Sequence, residues 1–203
     1  MILKPTKENL KLVVQKLLEG KVVIFPTDTV FGIGCLATNS ASIDKIYKLK
    51  KRTKTKSFLL NIANITSIKK IAKVTVIDEK LIKSFMPGAL SLILKVKPHS
   101  GISDCVVQDG KIGVRIPNNK NLLWILKNIK VPLVSTSCNL SGSSPCLTAA
   151  MAERIFGAQV IILDTEEKLS GISSTIIDTT GKEISFIREG KIKFGNIKKV
   201  IRI

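Results

Sequence analysis

Apolar residues recur along this chain with two different periods, and the switches between them predict its elements. Leu10, Val13, Val14, Leu17 and Leu18 fall on one helical face. Thr6 in front of them and Gly20 behind them predict a helix over 7–19. Val22 to Phe25 is an unbroken apolar run, as a strand covered on both faces requires, and Pro26 stops it. Residues 26–34 then read as a glycine-containing loop, followed by a helix over 41–51 and a strand over 58–62. Thr66 and Asp78 are placed to open short helices over 67–72 and 79–85, and Pro87-Gly88 is a turn signal. Strands are expected over 91–96 and 112–116. A helix follows over 120–129, with Leu122, Leu123, Ile125 and Leu126 inward, then a strand over 131–136. A polar loop fills 137–147, Thr148 caps a helix running to Phe156, and strands are expected over 160–163, 174–177 and 184–188. Strands and helices interleave without strict alternation. The expected fold is therefore α/β: one domain over 1–203, with a twisted mixed sheet and helices on its faces.

Composition narrows the class. At 203 residues and 44% hydrophobic, the chain can bury a core without disulfide or metal staples. No apolar run approaches the ~18 residues of a membrane span. The start, MILKPTKENL, lacks the pattern of a secretory signal, so a soluble cytoplasmic protein is expected. Cys35, Cys105, Cys138 and Cys146 show no C-x-x-C spacing and His99 is the lone histidine, a poor set for structural zinc. Basic side chains outnumber acidic ones 33 to 15, for a net charge of +18. Such a surface attracts phosphates. Yet 28 of the 33 are lysines in a chain also rich in Ile and Asn, so a solvated lysine coat competes with a binding role. The five arginines carry more information, because guanidinium grips phosphate or carboxylate with two parallel bonds.

Four polar segments sit at strand ends, where loops on a rigid sheet concentrate binding groups. Pro26 to Gly34 packs hydroxyls and two glycines behind a buried strand, with neither a Walker nor a dinucleotide pattern. Lys50 to Lys56 holds five cations in seven residues, more than a helix C-terminus needs. Arg115 stands in the apolar strand Gly113 to Pro117, where it must be ion-paired or face a polar cavity. Ser135 to Gly142 clusters hydroxyls and one amide, a turn or a set of donors for phosphate oxygens. Ser173 to Asp178 and Ile187 to Gly190 add hydroxyls and Arg188. No G-x-S-x-G elbow, thiolate motif or carboxylate dyad accompanies them. The inventory suits electrostatic stabilisation in phosphoryl or nucleotidyl transfer, and predicts that Arg52, Arg115 and Arg188 converge beside Ser137.

In order and across nearly the whole chain these segments resemble the YrdC-domain family. The strings are PTDTVFGIG (26–34), Lys50-x-Arg52, PGALSLIL (87–94), GVRIP (113–117), STSCNLSG (135–142), SSTIID (173–178) and IREG (187–190). Within the family the chain is most similar to the short, TsaC-type L-threonylcarbamoyladenylate synthases, and it ends where the long form's second domain would begin. The resemblance implies a deep basic cavity. It also implies a nucleotidyl transfer that joins L-threonine, bicarbonate and ATP into threonylcarbamoyl-AMP and pyrophosphate, for threonylcarbamoyladenosine modification of tRNA. By motif match, Lys50 and Arg52 would hold bicarbonate and the phosphate chain, with Lys56 adding to the nucleotide grip. Ser137 and Asn139 would meet the α-phosphate and Arg188 the triphosphate. Thr27, Arg115, Ser135 and Ser174 would frame threonine, with Arg115 on its carboxylate. Mg²⁺ would arrive on ATP, and TsaD-, TsaB- and TsaE-type proteins would complete the pathway. Thr53, Ser57-Phe58 and Asn61 depart from the family pattern; Asn61 stands where a histidine is common and can still bond the threonine hydroxyl. The Ser-Phe-Leu-Leu stretch resembles the YciO branch, which tends to lack the Ser-x-Asn loop kept here. A YciO-like activity and a non-catalytic RNA-binding role are the alternatives. At 4% aromatic residues, stacking platforms for RNA are scarce.

Overall fold

In the computed structural model, which describes residues 1–55 and 57–202, a short strand β1 (Ile2–Leu3) leads into helix α1 (Lys7–Leu18) and strand β2 (Val23–Pro26). A tight turn returns as β3 (Phe31–Leu36), followed by α2 (Ser40–Lys50), β4 (Leu59–Asn61), α3 (Ile65–Ile71) and α4 (Val76–Phe85). Then come β5 (Leu90–Lys95), β6 (Lys111–Arg115), α5 (Lys120–Ile129), β7 (Leu133–Ser137) and α6 (Ala149–Phe156). The chain closes with β8 (Ile161–Leu163), β9 (Thr175–Asp178), β10 (Ser185–Arg188) and α7 (Phe194–Ile201). All ten strands join one sheet in the order β1-β8-β2-β3-β7-β4-β6-β5-β9-β10.

The apolar pattern explains the layering. All four residues of β2 are buried, because both faces of the sheet are covered there. Val23 and Phe25 pack under α1 and α5, against Leu10, Val13, Leu17, Ile125 and Leu126. Ile24 belongs to the opposite face, with Phe31, Ile33 and Cys35 of β3 and residues of α2, α3, α4, α6 and α7. The pairing is mixed: β4–β6 and β5–β9 are parallel, whereas β2–β3, β3–β7 and β4–β7 are antiparallel.

Three expectations are corrected. Residues 31–34 are strand rather than loop. Phe31, Ile33 and Cys35 alternate with two glycines, and the missing side chains hid the period of two. Those glycines make room for the Phe25 ring: a Cβ on Gly34 would lie 3.0 Å from that ring and 2.1 Å from the Val134 carbonyl oxygen. Second, Asn64 and Thr75 cap α3 and α4, not Thr66 and Asp78. Asp78 instead completes a capping box with Thr75, accepting its backbone N–H at 2.7 Å. Third, residues 194–201 form a helix that the sequence pattern alone did not reveal, with Ile197 fully buried. Its apolar stripe is short, and Gly195 lowers helix propensity.

Gly34→Ala is expected to lower the unfolding free energy by about 1–3 kcal/mol through overpacking of β3 against β7, read from urea melts. Gly195→Ala, with nothing within 4 Å of the added carbon, should not destabilise. An unshifted melt for Gly34→Ala would refute the tight β3–β7 approach.

Candidate active site

The ends of β4, β6 and β7, the turn between β2 and β3, and the segment entering β9 enclose a cavity of about 210 Å³. Its walls include Thr27, Arg52, Asn61, Arg115, Ser135, Ser137, Ser174 and Arg188. Register accounts for part of this. Parallel pairing sets Asn61 beside Arg115, and antiparallel pairing sets Gly32 beside Ser137. The three arginines, up to 136 positions apart in sequence (188 − 52), thus converge on one hollow that Ser137 also lines. Lys56 lies outside the described residues.

Arg115 is the most enclosed of the three, 5% exposed. Its Nε donates to the Gly88 carbonyl at 2.9 Å, one Nη to Thr29 Oγ1 at 3.1 Å, and the other to Asp28 Oδ1 at 2.6 Å. A guanidinium has five N–H bonds; three are engaged, which leaves two for a ligand. The ion pair and the cavity-facing role, alternatives in the sequence, are both present. Asp28 is the site residue that the motif reading passed over. Its signal was a scarce acid next to hydroxyls in a basic chain.

The turn that carries Asp28 is held by its own hydroxyls. Thr27 Oγ1 donates to the Val30 carbonyl at 2.7 Å and accepts the backbone N–H groups of Thr29 and Val30. Thr27 Oγ1 has spent its one proton on Val30, so the proton in its 2.9 Å bond to Thr29 Oγ1 belongs to Thr29, whose oxygen also accepts from Arg115. Thr27 therefore contributes to the wall of the cavity, while its hydroxyl is already committed to the turn.

Lys50 and Asn139, expected to touch the anion, stand behind the cavity and are absent from its lining. The Lys50 side chain is 1% exposed. Its Nζ donates to the Ser137 carbonyl, to the Asn139 carbonyl at 2.6 Å and to Asn139 Oδ1 at 3.0 Å. Three acceptors use all three donors of an ammonium. Asn139 Oδ1 also accepts from Ser137 Oγ at 2.7 Å, and its Nδ2 donates to the Leu140 and Ser143 carbonyls. Both residues brace the loop that presents Ser137. The described cations of this stretch point different ways: Lys50 turns to the Ser137 loop, and Lys54 pairs with Asp44 at 2.9 Å.

Arg52 donates from Nη2 to the Ser57 carbonyl at 2.7 Å and lies over the Phe58 ring, 5.4 Å from its centre. Residues that depart from the family pattern therefore support this arginine. Among the described residues its buried Nε has no hydrogen-bond partner. Arg188 donates to the Ser174 carbonyl at 2.8 Å and to Ser174 Oγ at 3.3 Å, and Ser174 Oγ meets Ser91 Oγ at 2.9 Å. Asn61 Nδ2 donates to Ser135 Oγ at 2.7 Å. Desolvation lowers the pKa of all three arginines, opposed at Arg115 by Asp28. They remain protonated, because arginine starts so high. Among the described residues neither Arg52 nor Arg188 has an acidic ion-pair partner. The hollow offers cations and hydroxyls to an anion. No group of three His, Cys, Asp or Glu side chains among the described residues is placed to hold a metal.

The family model Sua5_yciO_yrdC, described as telomere recombination, matches residues 15–190. A Methanocaldococcus jannaschii protein is 35% identical over 92% of this chain and 87% of its own length. The Pyrococcus abyssi threonylcarbamoyl-AMP synthase is 33% identical over 90% of this chain. The chain spans only 54% of that relative. The crystal structure of P. abyssi Sua5 complexed with L-threonine superposes with a TM-score of 0.94 at 26% identity, covering 99% of this chain and 61% of that one.

Burial first, and the charge of Arg52 second, pull the Lys50 pKa down from 10.5 to about 8. Below pH 8 the folded state keeps a charge at a cost that the unfolded chain does not bear, and that cost fades between pH 8 and 10.5. The unfolding free energy of the wild type minus that of Lys50→Met should therefore rise across this window in urea melts. A flat difference would show that the ammonium is not desolvated.

Proposed function

We propose that this chain, which belongs to the Sua5/YciO/YrdC family, joins L-threonine, bicarbonate and ATP into threonylcarbamoyl-AMP, releasing pyrophosphate and water. The relatives named threonylcarbamoyl-AMP synthase support this reading, as does the likeness to a structure holding L-threonine. The observation that carries it is the meeting of Arg52, Arg115 and Arg188 with Ser137 in one small cavity. At about 210 Å³ the hollow is smaller than the ~300–1,000 Å³ of pockets that enclose drug-sized ligands. It fits an amino acid with its carbamate and the α-phosphate, while the rest of the nucleotide extends through the mouth.

In this reading the threonine amine attacks carbon dioxide derived from bicarbonate, and a carbamate oxygen then displaces pyrophosphate from the α-phosphorus. Neither step needs a protein nucleophile. Both need reactants held in line, charge neutralised and water excluded. The two spare N–H bonds of Arg115 take the threonine carboxylate. The Asn61–Ser135 pair reads the side-chain hydroxyl. Arg52 and Arg188 hold bicarbonate and phosphate oxygens, and Ser137 meets the α-phosphate once its hydroxyl proton turns from Asn139 Oδ1. Lys50 and Asn139 act by fixing Ser137. Mg²⁺ would be held by the phosphate oxygens of ATP, where it supplies charge neutralisation. The labile product would pass to TsaD-, TsaB- and TsaE-type proteins for transfer to tRNA in the cytoplasm. Among the described residues no helix is long and apolar enough to cross a membrane.

Pyrophosphate release is expected to require ATP, threonine and bicarbonate together. Arg52→Ala should cut turnover about 10- to 100-fold, the scale of a lost charged hydrogen bond, with the melting curve retained. ATP turnover indifferent to threonine would overturn the reading in favour of a YciO-like activity. No turnover combined with salt-sensitive RNA binding would favour the binding protein.

A further inference from the structure

We infer that Asp28 is a positioning residue: its carboxylate sets the roll of the Arg115 guanidinium, so that the two spare N–H bonds meet a substrate carboxylate in plane. This rests on the threonine reading above and deepens it. Asp28 does not line the substrate cavity. Its Oδ1 accepts both Arg115 Nη2 at 2.6 Å and the Asn118 backbone N–H at 3.1 Å. One atom therefore ties the turn after β2 to the end of β6 and the residues beyond it. The Gly88 carbonyl and Thr29 Oγ1 hold two further edges of the guanidinium. Three anchors, one on each nitrogen, restrict its rotation. Thr29 is itself locked to Thr27 in the same turn, so Asp28 and Thr29 register Arg115 together. Orientation matters because two parallel N–H···O bonds to a carboxylate tolerate little misalignment.

A second role for the same carboxylate is simple neutralisation of a cation that is 5% exposed. The two roles make opposite predictions for two variants. Asp28→Glu keeps the charge and moves it by one methylene. Asp28→Asn keeps the shape and an acceptor oxygen and loses the charge. Positioning predicts that Asp28→Glu raises the threonine KM about tenfold or more. Asp28→Asn should stay within about threefold. The ATP KM should change by less than about twofold in both. In an Arg115→Gln background, Asp28→Glu should add almost nothing, because it acts through Arg115.

A silent Asp28→Glu with a damaging Asp28→Asn would overturn the inference in favour of neutralisation. An undiminished Asp28→Glu effect in the Arg115→Gln background would overturn it in favour of a general structural role. Should the longer side chain prevent folding, Asp28→Asn decides alone: a threonine KM near wild type supports positioning, and a tenfold rise overturns it. L-threonine titrated into the wild-type protein by calorimetry separates the two readings. Absence of binding removes the threonine site and this inference with it. Binding accompanied by a silent Asp28→Glu removes only the inference.

Discussion

Positive charge held out of water is the constraint on which this site depends. Three guanidinium groups face one hollow and an ammonium lies behind it, with Asp28 the one carboxylate in ion-pair contact with them among the described residues. Two unit charges about 4 Å apart interact by about 4 kcal/mol at an effective dielectric constant of 20, so such a set cannot be left to solvent screening alone. The protein answers with backbone carbonyls. Gly88 serves Arg115, Ser174 serves Arg188, Ser57 serves Arg52, and Ser137 and Asn139 serve Lys50. These acceptors offset the charge without cancelling it, which leaves the hollow electropositive.

The carbonyls must stand at strand ends, and the mixed sheet puts them there. Parallel β4 and β6 deliver Asn61 and Arg115 side by side, while antiparallel β3 and β7 bring Gly32 to Ser137. Close approach of β3 to β7 depends in turn on a small residue at Gly34, beneath Phe25. A packing detail in the core is thereby linked to the spacing of the cavity walls. At 26% identity the chain still superposes on the P. abyssi structure with a TM-score of 0.94. Side chains have changed widely while this arrangement of strands has stayed.

The two halves of the site differ in how they are stiffened. On the Arg115 side, hydroxyls and a carboxylate within one turn fix the cation. On the Ser137 side, a buried ammonium fixes the loop, and the lysine rather than the loop bears the desolvation cost. Arg52 lies between these styles, carried by a carbonyl and an aromatic face, with one buried N–H unanswered among the described residues.

Much of this was legible from residue order. The period of the apolar positions sufficed for α1, β2, α5 and β7, because burial on a helix or sheet face repeats locally. Scarce arginines and clustered hydroxyls marked the chemistry, since donor type is a property of each residue. Two glycines erased the period in β3, and a short stripe hid α7. What the sequence by itself determined was the inventory of cations and hydroxyls and the elements bearing them. Only the tertiary structure decided that Lys50 turns inward to brace Asn139, 89 positions away, and that Asp28 backs Arg115, 87 positions away. A side chain's role depends on which acceptors meet it in space, and those acceptors come from strands that the chain order does not place together.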